Sequence, residues 1–170
     1  GLIDADIRKA ETLPSEFYTD EQHFSKQMER LSDSLQFVGH SSEFTSDLTP
    51  IPHLESILKQ PLLRTNHESE KYLLSNVCTH RGMLLCQEKK NGKSIQCPYH
   101  GRTFDRDGTL KHMPGFENVE NFPSASDNLP SLKLKEWFGF EFTSLDSSLK
   151  LETILEPIER RMNWWLDDLK

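Results

Sequence analysis

Four potential metal ligands lie in two short segments near the middle of the chain. The first segment reads Cys78-Thr79-His80-Arg81-Gly82 and the second reads Cys97-Pro98-Tyr99-His100-Gly101, so each offers one thiol and one imidazole. Thiolates and imidazoles are the ligands that zinc, copper and iron–sulfur centres use in proteins. The two segments therefore predict a metal centre held by Cys78, His80, Cys97 and His100.

The order of the ligands separates a mononuclear zinc site from a binuclear iron centre. Common zinc sites pair Cys with Cys and His with His along the chain. Here each segment mixes the two types, which suits a centre in which one iron takes both thiolates and the other takes both imidazoles. That is the ligation of Rieske [2Fe–2S] centres. We expect this cluster as the cofactor, with a zinc-bound structural module as the remaining alternative.

Residues beside the ligands are expected to support the two loops. Gly82 and Gly101 lack a Cβ, so backbone amides could approach the sulfides closely. Pro98 is expected to stiffen the second loop. Arg81 and Tyr99 flank the ligands, and two interpretations stay open for them: they steady a reduced, anionic cluster, or they only shape the loop surface.

The motif CTHRG, followed by CPYHG and then by F-D-x-x-G, resembles the Rieske domain of Rieske non-haem iron ring-hydroxylating oxygenases, in their large subunit. The resemblance implies that Cys78 and Cys97 bind one iron, and that His80 and His100 bind the other. Arg102 departs from the pattern, since these oxygenases usually have Trp there. The stretch from Leu13 to Asp20, with the helix after it, is most similar to the branch acting on choline-like or carnitine-like quaternary ammonium compounds.

The same resemblance indicates a low reduction potential. High-potential Rieske proteins add a disulfide between the loops, and Ser and Tyr hydroxyls near the second loop. The expected potential is therefore about −150 mV, at the low end of the Rieske range. The corresponding positions in this chain are Met83, Tyr99, Arg102 and Phe104.

The resemblance also implies a function. Oxygenases of this family activate dioxygen at a second, mononuclear Fe(II), held by two His and one carboxylate. No histidine follows His112, so we expect that iron in a catalytic domain absent from this chain. By itself the chain would then transfer single electrons, as the electron-input domain of a dioxygenase or monooxygenase, and would not hydroxylate a substrate.

The partners implied are a reductase or ferredoxin as electron donor and a catalytic domain, of the same or a neighbouring subunit, as acceptor. By this resemblance we expect the parent protein to be a trimer. The alternative is a self-contained Rieske ferredoxin-like electron carrier. The extension before residue 36 favours the oxygenase, because a free-standing Rieske ferredoxin would lack it.

Short apolar runs bounded by turn residues predict a mainly β fold, a small Rieske-type β-sandwich with both cluster loops at one end. Asn91-Gly92 predicts a hairpin between 87–90 and 93–96, and Asp107-Gly108 predicts a second tight turn. The predicted strands are 36–40, 61–65, 71–77, 93–97, 102–105 and 137–143.

A helix is predicted at each end of the chain. Thr19 as N-cap and Gln22 three residues later form a capping box, and one apolar face from Phe24 to Leu35 is expected to pack on the sheet. A second amphipathic helix is expected within 149–170, docked on the sandwich or on a following domain. The latter would leave Trp164 or Trp165 exposed. The predicted division is 1–35 for the N-terminal arm and helix, 36–148 for the Rieske domain and 149–170 for the C-terminal helix.

Composition excludes several kinds of partner. The net charge of −7, with no basic patch, argues against nucleic acid. No run approaches the roughly 18 apolar residues of a membrane-spanning helix, so no membrane contact is expected. Of three cysteines, two are candidate ligands, which leaves Cys86 unpaired as a small buried side chain. An unpaired cysteine suits a reducing compartment, and we expect a cytoplasmic protein.

Overall fold

A computed structural model describes the backbone of residues 3–166 and the side chains of residues 3–162 and 164. Within that range the chain is built mainly from short antiparallel strands, with helices near both ends. The expected mainly β fold with terminal helices is confirmed. The strands are β1 Gln36–His40, β2 Leu48–Pro50, β3 Leu62–His67, β4 Glu70–Ser75, β5 Ile95–Gln96, β6 Thr103–Phe104, β7 Leu110–His112, β8 Ser131–Leu132, β9 Lys135–Trp137 and β10 Phe140–Thr143.

The strands form three antiparallel sheets, in the orders β1-β10-β9, β2-β3-β4-β8 and β5-β6-β7. Successive side chains along the four-stranded sheet point to opposite faces, and each face contributes to a different hydrophobic core. This sheet therefore lies between the two cores. Leu63 and Leu74 face the core that contains both candidate cysteine ligands. Their neighbours Leu62 and Leu73 face a second core with Val38. The first cluster loop therefore follows a strand of a sheet that is buried on both faces.

A buried ion pair connects this central sheet to the sheet formed by β1, β10 and β9. Arg64 on β3 donates two hydrogen bonds to the carboxylate of Glu141 on β10, at 2.6 and 2.8 Å. The two side chains are 2% and 0% exposed. The Nζ of Lys71 lies 3.5 Å from the same carboxylate. A charge pair this deep must be fully hydrogen-bonded to be tolerated, and Arg64 also donates to Asn66 at 2.8 Å.

One strand prediction and one hairpin prediction were wrong. The predicted strand 137–143 is instead a hairpin, because Phe138 and Gly139 both have positive φ, 47° and 82°, and reverse the chain between β9 and β10. Asn91-Gly92 does not join two paired strands. The carboxylate of Asp47 accepts from the Gly92 amide at 3.0 Å, and the Asn91 side chain accepts from the Asp47 amide at 3.0 Å. The turn at Asp107-Gly108 is confirmed, with the Gly108 amide donating to the carbonyl of residue 105.

The helices are α1 Glu16–Thr19, α2 Glu21–Asp33, α3 Glu55–Leu58 and α4 Leu151–Leu166. The predicted N-cap at Thr19 was wrong, since Asp20 caps α2 through hydrogen bonds from the amides of Gln22 and His23. The apolar face of α2 lies against α3 instead of being buried on the sheet. Phe24 remains 64% exposed, and no residue of α2 is buried.

The C-terminal helix α4 docks on the body of the protein by its first turns. Leu151 and Leu155 are buried, whereas Ile158 and Trp164 are 41% and 74% exposed. The other predicted exposed side chain, Trp165, and the predicted helix end at 167–170 lie outside the described residues. In the part of the chain that is described, no helix has the length and apolar character needed to cross a membrane.

Candidate metal centre

Cys78 and Cys97 begin two loops that have the same hydrogen bonds. In each loop the cysteine amide donates to the carbonyl five residues later, at 2.8 Å in both cases. The amide of the glycine four residues later donates back to the cysteine carbonyl, at 3.0 and 3.1 Å. The first loop follows β4 and the second joins β5 to β6. The matched backbone presents one thiol and one imidazole from each side.

The backbone conformation explains why glycine closes each loop. Gly82 has a φ of 70° and Gly101 a φ of 75°, in the left-handed region that other residues avoid. A Cβ at Gly82 would meet nothing within 4 Å, and one at Gly101 would lie an ordinary 3.4 Å from Pro114. Positive φ, rather than lack of room within the chain, is therefore what these positions require.

The two candidate thiols are buried side by side. Cys78 and Cys97 are each 3% exposed, and both are free thiols. Burial raises the pKa of the Cys78 thiol, the His80 backbone amide acts against this, and the neighbouring Cys97 raises it further. A buried thiol with a raised pKa keeps its proton unless a metal displaces it, because thiolate is the ligand form.

The two candidate imidazoles meet at the outer end of the loops. The ring centroids of His80 and His100 are 5.0 Å apart, and both side chains are partly exposed. The Nδ1 of His80 is nonetheless buried, without a hydrogen-bond partner among the described residues. Burial lowers the pKa of His80, and the charges of His100, Arg81 and Arg102 add to that effect. A neutral imidazole with one unpartnered buried nitrogen fits a metal ligand.

The donor set fits a binuclear centre. A Rieske centre needs only two protein ligands at each iron, thiolates at one and imidazoles at the other. The buried thiol pair and the outer imidazole pair match that requirement.

Four of the predicted supporting residues are exposed, whereas the fifth, Gly101, is half-buried. The Tyr99 ring stacks on the His100 ring, with centroids 3.7 Å apart and planes at 27°, and it remains 58% exposed. Arg81 and Pro98 are exposed. Phe116 was not predicted as a site residue, but its ring lies 5.9 Å from that of His80.

A third segment, which the sequence did not predict as part of the site, contacts both loops. Asp127 forms an ion pair with Arg102 at 2.6 Å, and its carbonyl accepts a hydrogen bond from Thr79 at 2.7 Å. Ser124 and Asp127 form a capping box around a short 3₁₀ turn, Ala125–Asp127. The spacing of Ser124 and Asp127 was the available signal for that turn.

Comparisons with known proteins agree with this geometry. Residues 34–123 match the Rieske [2Fe-2S] domain family. The chain is 36% identical over 144 residues to the carnitine monooxygenase oxygenase subunit of Escherichia coli K12, covering 84% of this chain and 38% of the relative. It is 30% identical over 146 residues to the chloroplastic choline monooxygenase of Beta vulgaris, covering 81% of this chain and 31% of that protein.

Solved structures show the same fold. The quaternary ammonium Rieske monooxygenase CntA, in complex with its substrate L-carnitine, superposes with a TM-score of 0.79 at 29% identity, over 91% of this chain and 45% of CntA. The chain thus spans less than half the length of these relatives. A Rieske domain implies a [2Fe–2S] cluster, which confirms the predicted cofactor. With the family match covering both loops, the chain belongs to the Rieske [2Fe–2S] domain family.

Proposed function

We propose that Cys78 and Cys97 hold the inner iron of the [2Fe–2S] cluster and that His80 and His100 hold the outer iron. The observation that carries this assignment is the difference in burial, since both thiols are closed off from solvent while both imidazoles reach the surface. When bound, the cluster would supply a centre that takes up and releases one electron at a time.

The chain's own residues fit that task. Both thiols are buried, so the inner side of the site is closed to water. The matched hydrogen bonds of the two loops fix the backbones of both cysteines. The outer imidazoles bring the site to the surface, where a donor or an acceptor could approach. Arg81, Gly82, Pro98, Tyr99 and Gly101 support this arrangement by shaping the loops around the ligands.

The assignment is tested on the purified chain by iron and sulfide content, absorption spectrum and EPR after reduction. We expect two irons and two acid-labile sulfides per chain, and an EPR signal that appears on one-electron reduction. Cys78→Ser should abolish all three. Cys86→Ala is the matched control, because Cys86 is equally buried at 2% exposure but lies outside both loops. A colourless protein that contains zinc would contradict the proposal.

We also propose that this domain is the electron-input part of an oxygenase. Its electrons would come from a reductase or a ferredoxin, and would pass singly to a mononuclear Fe(II) in a catalytic domain of the same or a neighbouring subunit, in a trimeric, cytoplasmic protein. Two observations support the role as electron-input domain: the relatives are carnitine and choline monooxygenases, and inter-subunit electron transfer is described for a quaternary ammonium Rieske monooxygenase. The same relatives favour a quaternary ammonium compound as the substrate of the whole protein.

The gene downstream of the Lys170 codon tests this wider proposal. An open frame that continues through two closely spaced histidines and a later carboxylate would support it, because these side chains form the facial triad of non-haem iron oxygenases. A stop codon soon after Lys170 would instead favour the self-contained electron carrier. Oxidation of a quaternary ammonium substrate by the full-length product, with a reductase present, would then test the substrate class.

A further inference from the structure

The Asp127 backbone and side chain contact the two ligand loops at once. Its carbonyl accepts from the hydroxyl of Thr79, which stands between the ligands Cys78 and His80. Its carboxylate accepts from the Nη2 of Arg102 at 2.6 Å, two residues after His100. The Arg102 carbonyl in turn accepts from the Cys97 amide, which closes the second loop. One short turn therefore connects the two halves of the ligand set.

Arg102 is an unusual residue to find in that connection. Its side chain is only 3% exposed, and its guanidinium lies over the rings of Phe104 and Phe122, at 5.8 and 5.6 Å. The Nε atom is buried without a hydrogen-bond partner in the described part of the chain. Asp127, at 22% exposure, is its ion-pair partner. The positive charge is thus fixed in a poorly solvated position at the base of the second loop.

We propose that Arg102 and Asp127 form a clamp that holds the two cluster loops together and sets the reduction potential by their opposing charges. This inference rests on the proposed function, since it requires a cluster between the loops. No disulfide joins the loops, since Cys78, Cys86 and Cys97 are all free thiols. Reduction adds one electron and one negative charge, which a fixed positive charge nearby favours and a negative charge opposes.

The two charges predict opposite shifts of the potential. Arg102→Met removes the positive charge and leaves the carboxylate, so the potential should fall. Asp127→Asn has nearly the same shape but leaves the guanidinium uncompensated, so the potential should rise. A purely structural role would not give shifts of opposite sign. In both variants the cluster should be lost to a chelator roughly ten times faster, the effect of losing one hydrogen bond to a charged group.

Two more variants separate charge from attachment. Arg102→Lys keeps the charge but cannot reproduce the geometry of the guanidinium. Its reduction potential should therefore lie nearer the unmodified value than that of Arg102→Met. Its cluster should be lost as fast as in Arg102→Met. Thr79→Val removes the hydroxyl that donates to Asp127 without changing charge. It should accelerate cluster loss and shift the potential less than either charge variant.

The experiment measures potential by redox titration and cluster loss by absorbance, for each variant and for a control pair. Lys111→Met and Asp105→Asn break an ion pair between β7 and the residue after β6. Its Nζ–Oδ1 distance is 2.8 Å, its side chains are 51% and 23% exposed, and neither variant should change either quantity. An unmodified chain that binds no cluster overturns the proposed function. A cluster-loaded chain whose Arg102→Met and Asp127→Asn variants keep the potential, or shift it in the same direction, overturns the clamp alone.

Discussion

Gly82 and Gly101 have the same left-handed backbone conformation, with φ of 70° and 75°, each four residues after a cysteine of the cluster loops. Each glycine amide donates a hydrogen bond back to its own cysteine carbonyl. Other L-residues in this conformation cost about 1–2 kcal/mol. Because the loops are matched, the same substitution should have the same effect in both.

We expect Gly82→Ala and Gly101→Ala each to lower the free energy of unfolding by about 1–2 kcal/mol, the cost of a left-handed conformation for a residue with a Cβ. Iron content should fall as well. Gly82→Asn should be milder, because asparagine tolerates the left-handed region. Gly92→Ala is the control, since a Cβ there lies 3.5 Å from the Ser94 carbonyl, an ordinary contact. Full iron occupancy and unchanged melting temperature in both loop variants would contradict the conformational explanation.

Asp20, which caps α2, gives a prediction on pH dependence. The Gln22 amide donates to its carboxylate at 2.6 Å, and this hydrogen bond holds the pKa of Asp20 below its usual value. A carboxyl whose pKa is lowered on folding stabilises the fold fully above its unfolded pKa of about 3.9 and less as pH falls through the folded pKa. The start of α2 should therefore fray in acid, seen as lost hydrogen-exchange protection of the Gln22 and His23 amides.

Variants at the helix start separate the two candidate caps. Asp20→Asn should keep the cap but remove the acid dependence, because asparagine caps helices equally well without titrating. Thr19→Ala should leave α2 unchanged, since the Thr19 hydroxyl donates to the carbonyl of Ser15, the residue before α1. Fraying of α2 in Thr19→Ala but not in Asp20→Ala would instead support Thr19 as the N-cap, as predicted from the sequence.

The ligand loops could be predicted because ligand type and spacing are local properties of the sequence. The connections between distant segments could not. Asn91-Gly92 has the composition of a hairpin turn, yet Asp47, far away in sequence, binds both residues. Phe138 gives no turn signal but has a positive φ, because the hairpin that it forms is stabilised by pairing of β9 with β10. Local turn propensity therefore predicts the backbone poorly at positions where tertiary contacts determine the conformation.

The Arg64–Glu141 ion pair could not be predicted from the sequence either, because the two residues lie 77 positions apart in the chain. Glu141→Gln should destabilise the protein by about 3–5 kcal/mol, since it leaves a buried guanidinium uncompensated. Replacing both, as Arg64→Met with Glu141→Leu, should cost less than the single change, because no unpaired charge remains. Urea unfolding of the cluster-loaded protein measures both. Equal or larger loss in the double variant would show that the hydrogen bond from Arg64 to Asn66 contributes more to stability than the ion pair with Glu141.

Tyr99 provides a test of the two interpretations that the sequence left open. Its ring stacks on the ligand imidazole of His100 at 3.7 Å, and the contact uses the ring face rather than the hydroxyl. Tyr99→Phe should therefore leave cluster lifetime and EPR linewidth unchanged. Tyr99→Ala should lose a stacking contact worth about 1 kcal/mol, equivalent to roughly fivefold faster cluster loss. If Tyr99→Phe already lowers the reduction potential, the hydroxyl steadies the reduced cluster. If Tyr99→Phe is unchanged and Tyr99→Ala loses its cluster faster, the ring acts by holding His100 in place.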